Sequence, residues 1–268
     1  DSLTGYIVQH RFSQVISPTH LIRDADDEWF PLDIEIVHRL REQLDRDSEK
    51  RVSLIYSLAV PYATFRSEGA RERIIRKLEH EGLPAQSIWL RVDGCGVNSS
   101  PTAVRNYIEA ATDFHQLGVP VVGDQIGGLV GLSLLSLSAV GGITHGLTVG
   151  EQFNTQHWRH PPNGKAHMPH PRVYLQKLDM YLKPADAERL FEVSSRLRAH
   201  FGCTDPTCCP RGVVDMIENP SRHFLIQRMK QVSDLAQIPE QHRPREFLER
   251  YVRPTTDEVI RFASSEHL

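Results

Sequence analysis

Residues 119–151 read VPVVGDQIGGLVGLSLLSLSAVGGITHGLTVGE, and this stretch decides the fold. Val119 to Val122 has the composition of a buried strand, which opens onto Gly123-Asp124-Gln125-Ile126-Gly127-Gly128 before an apolar helix. A second strand ends in Gly146-Leu147-Thr148-Val149-Gly150-Glu151. Two successive strands therefore finish in glycine corners that carry polar side chains. Parallel α/β proteins build ligand sites at such carboxyl ends.

The same alternation extends upstream. Arg51 to Val60 is a continuous apolar run, as expected of a strand buried on both faces. Ala70, Ile74, Ile75 and Leu78 then share one face of a helix. Ser87 to Val92 is another strand, ending in Asp93-Gly94-Cys95-Gly96. A helix follows Ser99-Ser100-Pro101, with a serine cap and proline in its first turn. Gly5 to Ile16, rich in β-branched and aromatic residues, predicts an opening strand. Asp24, Asp26, Asp27 and Glu28 form an acidic turn that caps a helix over Pro31 to Leu44. Downstream, a polar loop (residues 152–172) precedes a strand over Val173 to Leu178, a helix opening at Pro184, and a mostly helical tail.

Strand alternating with helix predicts a parallel (β/α)8-type barrel. Six or seven strands are countable where closure needs eight, so the barrel is expected to be incomplete at the amino terminus or to hide a strand in the first 50 residues. The chain begins at Asp1 rather than Met. Residues 1–200 are read as the barrel domain and 201–268 as a cysteine-rich segment with a helical tail packed on it.

The 268 residues are 40% hydrophobic and 24% charged with a formal net charge of −3, so no global field draws the chain to nucleic acid. No apolar run has the length of a membrane span, and no signal-like start precedes the first strand. Three of the four cysteines crowd into Cys203, Cys208 and Cys209, which points to a cytoplasmic protein with a metal site rather than a disulfide framework.

With these residues in view, the chain resembles the tRNA-guanine transglycosylases and their DNA-modifying 7-deazaguanine relatives. That family carries a Gln-Gly-Gly corner, an apolar helix and a Gly-Gly-Leu-x-Val-Gly-Glu strand end. Here stand Gln125-Ile126-Gly127-Gly128 and His145-Gly146-Leu147-Thr148-Val149-Gly150-Glu151, and upstream Asp93-Gly94-Cys95 is similar to the family's Asp-Glu-Cys. The resemblance implies exchange of a guanine in tRNA or DNA for a 7-deazaguanine base, through a flipped nucleotide and a covalent aspartyl intermediate. It assigns base recognition to Asp93, Gln125, Gly146 and Leu147.

Two departures bear on catalysis. The family's Phe-Asp-Cys nucleophile corresponds to Phe201-Gly202-Cys203, which leaves Asp205 and Asp179 as substitutes. Its Asp-Ser-Gly-Gly-Phe carboxylate has only a loose echo in Asp1-Ser2-Leu3-Thr4-Gly5-Tyr6, with Asp26 or Asp27 as replacements. The resemblance also implies a structural zinc, held here by Cys203, Cys208, Cys209 and His223, with His200 as an alternative ligand. His157, His160, His167 and His170 have ligand-like intervals but read as a proline-rich surface loop. A non-catalytic nucleic-acid-binding barrel or scaffold is the rival from another class. Whether the chain is a homodimer or a complex subunit stays open.

Overall fold

The apolar run becomes Ser53–Pro61, a strand with both faces buried from Leu54 to Val60, in a computed structural model that describes residues 3–47, 52–146, 151–156 and 171–264. The chain divides into one unit of Asp1–Ile126, Ser138–Thr144 and Gln152–His160, and another of Gly127–Leu137, His145–Glu151 and Pro161–Leu268. The boundary expected after residue 200 falls inside the second unit.

In the first unit, α1 (Leu3–Gln9), β1 (Gln14–Ile16), α2 (Trp29–Asp47), β2 (Ser53–Pro61), α3 (Tyr62–Arg66), α4 (Glu68–Glu81), β3 (Ser87–Asp93), α5 (Pro101–Asp113), β4 (Val121–Asp124) and β5 (Gly142–Thr144) follow one another, with α6 (Gly128–Ser136) of the second unit lying between β4 and β5 in sequence. The five strands are all parallel and pair in the order 1-2-3-4-5, curled as a half-barrel. No strand order reverses, so there is no switch point of the doubly wound kind, and every carboxyl end opens on one edge. β3 alternates: Ile88, Leu90 and Val92 are buried on one face, while Trp89, Arg91 and Asp93 line the other. The expected serine cap of α5 is present, Ser100 Oγ accepting from Ala103 N at 3.2 Å.

Two expectations are corrected. Gly5 to Ile16 is not one strand but α1 followed by the short β1. Burial of Thr4 and Ile7, with the Tyr6 and His10 rings 4.2 Å apart one turn from each other, satisfies a helical rather than an alternating period. Val173 to Leu178 is likewise not a further parallel strand. Val173–Leu175 (β6) turns through Asp179, at φ 45°, and returns as Met180–Leu182 (β7), antiparallel to it. Four intervening residues can close a hairpin but not a parallel crossover. Among the described residues the parallel strands therefore number five.

The rest of the second unit is helical: α7 (Pro184–Val193), α8 (Ser195–Phe201), α9 (Val213–Glu218), α10 (Pro220–Ala236), α11 (Arg243–Phe247) and α12 (Arg253–Ser264). Val173, Leu175, Phe191, Phe201 and Met216 form one core together with Cys208 and Cys209, and Leu132, Leu235 and Phe247 form another. No described helix is long and apolar enough to cross a membrane.

Candidate functional site

The first unit gathers its polar groups at the carboxyl ends of β3, β4 and β5. Asp124, buried at the end of β4, accepts from Arg91 Nε at 2.6 Å and from the Thr144 hydroxyl of β5, so its charge is met by one cation and one hydroxyl. The Arg91 guanidinium also lies over the Phe153 ring, 5.4 Å from its centroid. Asp93, at the end of β3, accepts from Thr155 N at 2.8 Å and Thr155 Oγ1 at 2.7 Å. The segment Gln152–Thr155 borders both strand ends: Gln152 bridges Gly96 and Ile126, and Gly94 N donates to Phe153 O at 3.0 Å. Burial pushes the Cys95 thiol up to about 12, which suits packing rather than nucleophilic use.

Gln125 differs from its neighbours. It sits at φ 55°, in the left-handed region that an L side chain enters at a cost of about 1 kcal/mol or more. Its side chain is half-buried, and no hydrogen bond engages its amide among the described residues. A carboxamide that no described residue engages, just past the end of the strand that pairs with β3, is suited to reading the polar edge of a ligand.

Asp26 lies exposed in the turn before α2, its backbone N donating to Asp24 Oδ1 at 2.8 Å. Asp27 accepts from the backbone N–H groups of Arg23 and Trp29 and so serves as a turn cap. Close by, fully buried Asp33 accepts from His20 Nδ1 at 2.6 Å and His20 N at 2.9 Å, while the His20 ring stacks on Trp29 at 4.3 Å. Nothing in the sequence marked that pair, since thirteen residues separate them.

In the second unit Cys203, Cys208, Cys209 and His223 converge, their ligand atoms all within 4.8 Å of one another. The Sγ atoms of Cys208 and Cys209 are 3.7 Å apart and lie 3.3 and 3.4 Å from His223 Nδ1. A tetrahedron with metal–sulfur bonds of about 2.3 Å has edges of about 3.7 Å, so these atoms already stand at coordination spacing. No cysteine is in a disulfide. Adjacent cysteines both face the centre because their N–H groups donate to the Asp205 carbonyl, which turns the chain there. Burial raises the Cys203 and Cys209 thiols and lowers His223. The imidazole is thus neutral, and a bound cation would supply the charge that makes thiolates. His223 Nε2–H donates to the Tyr174 carbonyl at 3.1 Å, which leaves Nδ1 as the lone-pair nitrogen. His200 instead pairs with Glu258 at 2.9 Å and does not join the group. The four residues could therefore hold a metal ion.

A second cluster in this unit surrounds Arg228 of α10. Glu151 accepts from Tyr181 Oη at 2.7 Å and from Gly128 N at 3.2 Å. Asp179 accepts from Tyr174 Oη at 2.8 Å and from Leu129 N at 2.9 Å. Arg228 lies 3.6 Å from Glu151 and 3.5 Å from Asp179, under the Tyr174 and Phe224 rings. Burial opposes its charge, but Tyr174, Asp179 and Glu151 outweigh that and hold its pKa above the ordinary value. Two carboxylates occupy the amino end of α6, so the glycine corner is filled and is not a phosphate cradle.

Of the other expected site residues, Asp205 bonds Thr207 and pairs with Lys230, whose hydrogen bond holds its carboxyl below the usual range. Gly202 stands where a Cβ would overlap the Arg198 carbonyl and approach Val213 Cγ1 to 2.8 Å, which accounts for the absence of an aspartate there. The Gly146 carbonyl lies 3.1 Å from His145 Nδ1. Leu147 and the histidines 157, 160, 167 and 170 lie outside the described residues.

Fold and site together define a mixed α/β protein with a parallel half-barrel and a Cys3His group that could hold a metal ion. In comparison with known proteins, no family model, no curated protein and no solved structure matches the chain.

Proposed function

We propose that the chain is a transglycosylase-type enzyme that exchanges a guanine in tRNA or DNA for a 7-deazaguanine base. The observation that carries this reading is the pair Asp93 and Gln125, at the ends of neighbouring parallel strands, the latter a left-handed residue whose amide no described residue engages. A carboxylate accepts from the N–H edge of a guanine-like base, and a carboxamide complements its carbonyl and ring nitrogen. The five strands then form part of a (β/α)8-type barrel, and the Cys3His group holds zinc as a structural ion. Attack on the ribose C1′ falls to Asp205 or Asp179, with the outgoing guanine leaving as the aspartyl ester forms. Asp26 is the remaining candidate for acid–base work.

The test incubates the zinc-loaded protein with labelled guanine and with tRNA or duplex DNA. Incorporation of label, reduced more than about tenfold by Asp93→Ala or Gln125→Ala, is the expected outcome. No incorporation into either nucleic acid at full zinc content removes the enzymatic reading. A non-catalytic barrel that binds nucleic acid or scaffolds a complex is the second reading. It is favoured by the engagement of both candidate nucleophiles, Asp179 with Tyr174 and Leu129, and Asp205 with Lys230.

A further inference from the structure

Helix α10 carries two functional groups of different kinds, five residues apart. His223 faces the cysteine group through Nδ1, and Arg228 reaches the two carboxylates at the amino end of α6. A second connection runs beside it. The backbone of Tyr174 accepts from His223 Nε2–H, and the side chain of the same residue donates to Asp179. Arg228 is only 3% exposed, yet no described residue hydrogen-bonds its Nε, and its contacts to Glu151, Asp179 and the Gly128 carbonyl all lie between 3.4 and 3.6 Å. Such a guanidinium is held by its helix rather than by close hydrogen bonds, so its place depends on where α10 is anchored.

We infer that Arg228 is a positioning residue that couples metal occupancy at Cys203, Cys208, Cys209 and His223 to the glycine corner at Gly127-Gly128. With the ion bound, α10 and β6 are fixed to the cysteine segment. Arg228 and Tyr174 then keep Glu151 and Asp179 on the N–H groups of Gly128 and Leu129. When the ion is lost, His223 and the thiols no longer share a ligand, α10 gains freedom, and the carboxylates lose their common cation. The coupling stands on the fold and does not depend on the proposed reaction.

Amide hydrogen exchange at Gly128 and Leu129 reads the coupling directly, because each N–H has one of the two carboxylates as its acceptor. The full chain is compared with Zn2+ bound, after chelation, and as Arg228→Lys with Zn2+ bound. Chelation is expected to speed exchange at these two amides by about tenfold or more while those of Leu58 and Leu90 in the first unit keep their rates. Arg228→Lys, which leaves all four ligands in place, is expected to retain one equivalent of zinc and show the same acceleration. Unchanged exchange at Gly128 and Leu129 in either arm overturns the coupling. If chelation loosens α10 as a whole, the Arg228→Lys arm decides alone, protection there at the wild-type level being the refuting result.

Discussion

Gly127→Ala tests whether the glycine corner is shaped by Glu151 rather than by its own backbone. Gly127 adopts φ −129° and ψ −162°, extended values open to alanine, so the substitution carries no left-handed penalty. A Cβ there would overlap the Glu151 carboxylate and lie within 2.6 Å of its Cγ. The carboxylate must leave, giving up the Tyr181 hydroxyl at 2.7 Å and the Gly128 N–H at 3.2 Å. Hydrogen bonds to a charged group contribute about 1.5–3 kcal/mol each, so the expected loss is about 3–6 kcal/mol. Urea unfolding followed by circular dichroism measures it, together with Glu151→Ala and the double variant. In the Glu151→Ala background the obstacle is gone, and Gly127→Ala should cost less than about 1 kcal/mol, a coupling of about 2–5 kcal/mol. Additive effects would refute the reasoning, because the alanine methyl would then be acting on something other than Glu151.

Other outcomes follow from the same geometry. Arg91→Met leaves Asp124 buried without its cation and should destabilise the first unit by about 3–5 kcal/mol in the same denaturation assay, whereas Arg91→Lys should recover part of that. Gln125→Gly removes a side chain from a left-handed position, so stability should stay within about 1 kcal/mol of wild type while binding of a guanine-like base, followed by calorimetry, is lost. Asp215 accepts from the Arg211 N–H at 2.7 Å, which holds its carboxyl below the usual range. A depressed folded pKa stabilises above the unfolded value of about 3.9 and ceases to do so as pH falls through the folded one. Asp215→Asn should therefore lower the melting temperature near neutrality and make progressively less difference as pH falls below the unfolded value. Metal should be released on acidification, because the buried thiols and His223 must be unprotonated to ligate; colorimetric zinc release that rose with pH instead would contradict the assignment.

Much of the strand–helix alternation was legible in the residues themselves. Leu54 to Val60, Ile88 to Val92 and the turn from Ser100 into Pro101 carry local patterns that need no distant partner to be read. The two failures share one cause. In Gly5 to Ile16 and Val173 to Leu178 the apolar residues fit more than one period, and the choice was made by what they pack against. The three crowded cysteines were likewise readable as a group from their type and spacing, whereas His223 was added to them only through the resemblance. That adjacent Cys208 and Cys209 face one centre depends on the turn over the Asp205 carbonyl.

Local periodicity, glycine corners and cysteine crowding are properties of neighbouring residues, so a parallel α/β class, polar strand ends and a cysteine cluster could be read without the fold. Which polar group is satisfied depends on partners dozens of residues away, and these are set by the packing of the folded chain. It tied Asp124 to Arg91 and Thr144, and drew Asp179, Glu151 and Arg228 into one buried cluster. A buried charge requires a partner wherever the chain can supply one, and sequence spacing does not say where that is.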